Sequence, residues 1–217
     1  MKDVLDMFKS YLEQQLEFGE DELLLTSRSK SECLEALREK VERCTRCPLS
    51  VTRKRVVFGE GSADSSVAFI GEAPGREENE KGRPFIGSAG QLLSKAIEAM
   101  GLRREDVYIA NIVKCRPPSN RVPRESEIAS CLPYLLEQLS IVNPVAVGLL
   151  GAVAAQSILK LDWPVFKLRG RVFTYSEMKL VPTYHPAALL RNPDLKRHFW
   201  KDMKLIKGIH EGVMPSI

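Results

Sequence analysis

Apolar residues fall along this chain in two rhythms. Short continuous runs, Val67-Ala68-Phe69-Ile70, Val107 to Val113 and Val145 to Leu150, have the length and composition of strands buried on both faces. Between them the apolar positions space at i, i+3 and i+4. Leu92, Leu93, Ala96, Ile97 and Met100 mark a helix from about Ala89 to Met100, a second runs from about Glu125 to Leu139, and a short Ala-rich one spans Gly151 to Leu159. A last strand, Lys179 to Thr183, precedes a basic helix from about Pro193 to Ile209. Strands alternating with helices predict an α/β fold, a three-layer α/β/α sandwich around a central, mostly parallel sheet of about four strands. Arg169-Gly170-Arg171 reads as a hairpin turn, and Val56 to Gly61 as a short edge segment.

Ahead of these elements, residues 1–23 place Val4, Leu5, Phe8, Tyr11, Leu12 and Leu16 on one side of a predicted helix whose other face is acidic. A polar break follows, and Ser31 is the expected cap of a second helix reaching about Val41. The expected division is an N-terminal helical extension over 1–35 and one domain over 36–217.

The stretch between the first strand and its helix is the least ordinary. It starts at Gly71, passes Glu72, Ala73, Pro74, Gly75, Gly82 and Pro84, and carries two apolar residues, Phe85 and Ile86. Long loops inside a domain are functional or disordered, and the apolar pair argues for order. In open α/β sheets such loops build the site at the carboxyl ends of the strands. Glu72 after the first strand, Asn111 near the end of the second and His185 after the last converge on that edge. Each has an ordinary reading alone, as a cap, a buried amide or a loop histidine. Together they are the polar set of a ligand crevice.

Composition narrows the class. At 217 residues, 44% of them hydrophobic, the chain holds a full core, and no apolar run approaches membrane-spanning length. The first residues lack a secretory pattern, which points to the cytoplasm and reduced thiols. The net charge of +4 is unevenly spread: residues 1–42 hold 6 Lys+Arg against 11 Asp+Glu, and residues 167–207 hold 10 against 3. A basic C-terminal third suits a polyanion.

Of five cysteines, Cys44 and Cys47 have the spacing that lets two thiolates share one centre, and Cys115 and Cys131 can complete it. Four thiolates suit zinc or an iron–sulfur cluster. A zinc ribbon prefers a second Cys-x2-Cys knuckle, which this chain lacks, so the cluster is favoured. Cys33, on a helix, reads as packing.

The segments GEAPG (Gly71 to Gly75), GRPFIGSAGQLL (Gly82 to Leu93), NIVKCRPP (Asn111 to Pro118) and YHPAALLRNP (Tyr184 to Pro193), in this order, resemble the family 4 uracil-DNA glycosylases, iron–sulfur enzymes of bacteria and archaea. The resemblance covers roughly residues 40–207. It implies a uracil-DNA glycosylase-like catalytic domain with a [4Fe-4S] cluster on Cys44, Cys47, Cys115 and Cys131. The expected activity is hydrolysis of the N-glycosidic bond of deoxyuridine in DNA, leaving an abasic site and free uracil. It also implies roles. Phe85 stacks on the flipped base, Asn111 reads its edge, and His185 donates to uracil O2. Glu72 holds the attacking water, and Gly71, Ala73 and Gly75 line the base pocket. Other uracil glycosylases carry Asp where Ala73 stands, so no strong base occupies that position. Pro186 to Arg191 are expected to form a loop entering the duplex, with Leu189 or Leu190 as its wedge and Arg191 on phosphate. No lysine stands at a nucleophile position, which predicts a monofunctional enzyme. A monomeric, nucleoid-associated protein of the cytoplasm, without membrane contact, is expected. The rival readings are a relative acting on another deaminated base, a covalent uracil-DNA binder, an iron–sulfur electron carrier or sensor, and an interaction protein working through its N-terminal helix.

Overall fold

The computed structural model describes residues 28–213, so the amphipathic helix expected over 1–23 lies outside the described residues. Five strands form one sheet: β1 Val67–Gly71, β2 Tyr108–Asn111, β3 Ala146–Leu150, β4 Phe173–Tyr175 and β5 Met178–Thr183, in the order β2-β1-β3-β5-β4. The first four in that order run parallel, and β4 adds an antiparallel edge to β5. The helices are α1 Lys30–Glu42, α2 Leu49–Thr52, α3 Arg76–Lys81, α4 Ser88–Ala99, α5 Glu125–Val142, α6 Ala152–Leu159, α7 Val165–Leu168, α8 Pro186–Arg191 and α9 Leu195–His210.

The α/β/α sandwich follows from side-chain alternation along buried strands. Ala68 and Ile70 of β1 join Leu37 and Val41 of α1 and Leu135 and Leu139 of α5 in one apolar layer. Val67 and Phe69 face the other way, onto Leu93 and Ile97 of α4 and Met203 and Ile206 of α9. The connection leaving β1 runs over one face and that leaving β3 over the other. The chain thus changes direction between those two adjacent strands, the switch point near which α/β sheets bind ligands.

Several local expectations are corrected. Ser29, not Ser31, caps α1, closing a capping box with Glu32. The expected boundary at 35/36 falls inside α1, whose Leu34, Leu37 and Val41 belong to the core. The hairpin turn lies at Ser176-Glu177, between β4 and β5. Arg169-Gly170-Arg171 instead follows α7, because Leu168 is drawn into the core as the end of a helical turn. Val56 to Gly61 does edge the sheet, through an antiparallel bridge from Glu60 to Ile109 of β2.

Candidate active site and cysteine centre

The pocket is assembled where β1, β2 and β5 end. Gly71 and Asn111 lie side by side in register. A Cβ on Gly71 would stand only 2.5 Å from Asn111 Oδ1, and closer still to the Phe85 ring. The absent side chain is therefore the space in which the amide and the ring converge. Asn111 is buried, and its Oδ1 has no hydrogen-bond partner among the described residues. A buried acceptor left open in a well-packed protein is the mark of a ligand position.

Phe85 is buried and held at φ +50°, a left-handed conformation that costs a bulky residue about 1–3 kcal/mol. Three contacts hold it there. One Glu78 carboxylate oxygen accepts from the amides of Ile86 and Gly87, both at 2.9 Å. Arg104 Nη2 donates to the Pro84 carbonyl at 2.6 Å. Gly90 lets the first turn of α4 press against the Phe85 backbone. The Phe85 and His185 rings stand 5.5 Å apart, tilted by 32°.

His185 is the N-cap of α8. The amide of Ala187 donates to its Nδ1 at 3.1 Å, so in the neutral ring the proton sits on Nε2. Burial pulls the imidazole down to about 4, Arg191 adds to the effect, and Glu78 opposes it. At neutral pH the ring is therefore an uncharged Nε2–H donor. Gly151 makes room for it, since a Cβ there would lie 3.1 Å from His185 Cβ. Glu72, half-buried just past β1, has its carboxyl raised by burial. Ala73 is partly buried and Gly75 caps α3.

Segment 186–191 is a helical turn rather than a loop. Of the two leucines expected as a wedge, Leu189 is buried in the core at 1% exposure, while Leu190 is 47% exposed beside the exposed Arg191. Lys196, Arg197, Lys201 and Lys204 of α9 are all exposed.

On the β2 side, Cys44, Cys47, Cys115 and Cys131 line one cavity with Arg46, Arg53, Lys114 and Tyr134. N–H donors point at three of the sulfurs. The Arg46 amide approaches Cys44 at 3.5 Å, Arg53 Nη1 approaches Cys115 at 3.4 Å, and the Lys114 amide approaches Cys131 at 3.3 Å. Cys33 stands apart, its thiol directed to the Arg28 carbonyl.

Residues 58–204 match the uracil DNA glycosylase superfamily. A type-4 uracil-DNA glycosylase of Pyrobaculum aerophilum is 43% identical over 184 residues, covering 81% of this chain and 93% of that protein. One from Thermotoga maritima is also 43% identical, covering 83% and 96%. A type-5 enzyme of P. aerophilum is less similar, 33% identical over 180 residues, covering 67% and 79%. The chain belongs to the type-4 uracil-DNA glycosylases.

In this type-4 glycosylase, sequence reasoning missed the supports of the pocket. Glu78 and Arg104 hold the Phe85 loop through backbone contacts that no spacing rule announces. Lys114 is wholly buried. Its amine, pulled down to about 7 by burial, donates to the Asn111 carbonyl at 2.9 Å and to Gln138 Oε1 at 2.5 Å, and so joins the cysteine cavity to the candidate pocket.

Proposed function

We propose that this type-4 uracil-DNA glycosylase hydrolyses the N-glycosidic bond of deoxyuridine in DNA, releasing uracil and leaving an abasic site without cutting the strand. The observation that carries the reading is the open, buried Asn111 Oδ1 beside the Phe85 ring and the His185 Nε2–H. Uracil presents an N3–H to that oxygen and an O4 to the amide NH2. Cytosine presents the reverse pattern and leaves buried groups unmatched, which hydrogen-bonding pockets reject strongly.

A paired base is out of reach, so the nucleotide is flipped into the crevice, with Leu190 as the wedge that fills the stack. Phe85 stacks on the base. As the C1′–N1 bond breaks, its electron pair passes to uracil and charge builds on O2. A fixed, neutral Nε2–H from His185 stabilises that charge more in the transition state than in the ground state. Water adds to C1′, positioned by Glu72 and the backbone of Ala73 to Gly75, and its proton is lost to Glu72 or solvent. Arg191 and the α9 cations take phosphates.

The cysteine set fits an iron–sulfur cluster of the [4Fe-4S] type. Four sulfurs share one cavity and receive N–H donors of the kind that tune cluster thiolates. Among the described residues no three Cys, His, Asp or Glu side chains gather tightly enough to hold a single ion. When bound, the cluster supplies a cross-link between the Cys44 loop, the end of β2 and α5. We take the protein to be a monomer acting on the nucleoid in the cytoplasm, with a catalytic domain and an N-terminal extension. No helix among the described residues is long and apolar enough to cross a membrane.

An end-labelled oligonucleotide carrying one deoxyuridine tests the reading. The wild type is expected to make an alkali-labile site at uracil and none at cytosine. His185→Ala should cut the single-turnover rate by roughly 100- to 1000-fold, the loss typical of one transition-state donor. Asn111→Ala should lose uracil selectivity as well as rate. No alkali-labile site from cluster-loaded wild type would move the electron-carrier or covalent-binder readings to the front.

A further inference from the structure

Two segments around the cysteine cavity carry cations only. Residues 43–55 hold 5 Lys+Arg and residues 114–124 hold 4, with no Asp or Glu in either. Three of the nine face inward. Arg53 binds the carbonyls of Cys44 and Glu42 and the Cys115 sulfur, Lys114 is buried, and Arg121 chelates the buried Glu127. Of the rest, Arg46 lies at the mouth of the cavity over the Tyr134 ring; Arg43, Arg55 and Arg124 are exposed, Arg116 is half-buried, and Lys54 is exposed but paired with Glu80.

These outward cations share the edge of the sheet that holds the base pocket. Lys30, at the start of α1, donates to the carbonyl of Val142 at the end of α5, so the two helices run antiparallel. Arg43, just past α1, and Arg124, just before α5, therefore come to the same end, beyond the carboxyl end of β2. Arg55 lies against Gly82, where a Cβ would meet its Cδ at 3.5 Å, and Gly82 opens the segment that carries Phe85. The Lys54 amide donates to Asn79 Oδ1 on α3, which fastens this run to the pocket loop.

We propose that this face is a second phosphate-binding bank, which takes the DNA backbone flanking the flipped nucleotide on the side away from α8 and α9. It rests on the reading of uracil-containing DNA as substrate. The pocket then lies between two basic banks, one beyond β2 and one beyond β5. Cations here add affinity without reading sequence, and each phosphate contact carries a fixed salt dependence.

The test compares wild type with the triple variant Arg43→Gln/Arg55→Gln/Arg124→Gln, both holding the cluster as judged by visible absorption. Binding to a uracil-free duplex of about 30 base pairs is titrated by fluorescence anisotropy from low to high KCl. Each lost contact should take about 0.9 from the slope of log K against log salt, so the triple variant should lose about 2 to 3. Its KM for the deoxyuridine duplex should rise while the single-turnover rate at saturating DNA stays within about twofold, since none of the three side chains touches the base. Arg→Lys at the same three positions should restore the slope. If the triple variant loses its colour, Arg55→Gln and Arg124→Gln alone, each expected to remove about 0.9, carry the same test. An unchanged slope with the cluster intact overturns the proposal. Failure of wild type to excise uracil would instead overturn the substrate reading, because the salt slope is measured on DNA without uracil.

Discussion

At the scale of single residues, burial sets opposite tasks for the two ionisable groups of the pocket. His185 is pulled down to about 4 from 6.5 because its ring is buried beside Arg191. Its protonation is therefore expected near pH 4 by NMR of the free enzyme, and a midpoint near 6.5 would contradict the neutral donor. Between those two values the unfolded chain binds the proton and the fold does not. His185 thus makes stability fall as pH is lowered from about 6.5 towards 4, a slope that His185→Gln should remove. Glu72 is shifted the other way, raised by burial above 4.5. Since a protonated carboxyl cannot take a proton from the attacking water, the role proposed for Glu72 predicts an acid limb of kcat/KM above the usual glutamate range. The linkage sign also reverses. The ionised Glu72 costs the fold above its native pKa and costs nothing below 4.5, where both states are neutral. Glu72→Gln is expected to raise the thermal midpoint at pH 7, to leave it unchanged near pH 4, and to lose the acid limb together with activity. A lower midpoint at pH 7 would mean that Glu72 is held by contacts that favour its charge.

At the scale of elements, the pocket is a matter of register. β1 and β2 pair so that Gly71 faces Asn111, and the Phe85 ring fills the place of the missing side chain. Gly71→Ala should fold, because φ at Gly71 is ordinary and the clash is confined to the pocket. It should cut excision by at least about 100-fold, the penalty of a misplacement of roughly 1 Å, with circular dichroism unchanged. Near-normal activity would show that the loop yields. This register was legible in the sequence only in part. Apolar runs announced β1, β2, β3 and β5, because strands buried on both faces need no alternation to be seen. β4 was not legible: it has three residues, half-exposed or exposed, and borrows its strand character from β5. α3 is REENEK, wholly polar, and has no apolar period to read. The α8 segment was readable had it been taken as a helix, since Pro186 and Leu189, three apart, are its buried residues and Leu190 falls outside that stripe. The site residues stood at strand ends and could be named. The His185 tautomer and the grip of Glu78 on the Phe85 loop could not, because both are backbone contacts fixed only once the loops have closed.

At the scale of the whole molecule, the cysteine centre ties together parts that the sheet leaves on one flank. Cys44 and Cys47 follow α1, Cys115 follows β2, and Cys131 lies within α5. The base pocket is joined to them through Lys114, yet Glu72, Phe85 and His185 come from β1, the loop before α4 and the end of β5. Removing the proposed cluster should therefore cost stability first and chemistry second. A cross-link that closes loops of this length is worth roughly 4 kcal/mol, which in a domain of this size corresponds to a thermal midpoint about 10 °C lower. Arg53 still bridges the Cys44 loop to Cys115 without the cluster, and Lys30 still holds α1 to α5, so the flank should loosen rather than detach. The measurement pairs Cys131→Ser with chelator-treated wild type, following visible absorption, the thermal midpoint and single-turnover excision at a temperature below both midpoints. Loss of colour with a lowered midpoint and a largely retained rate supports a structural cluster. Loss of the rate at a temperature where the fold is intact would show that the Lys114 connection carries the centre's influence into the pocket, and the division between scaffold and site would have to be redrawn through Asn111.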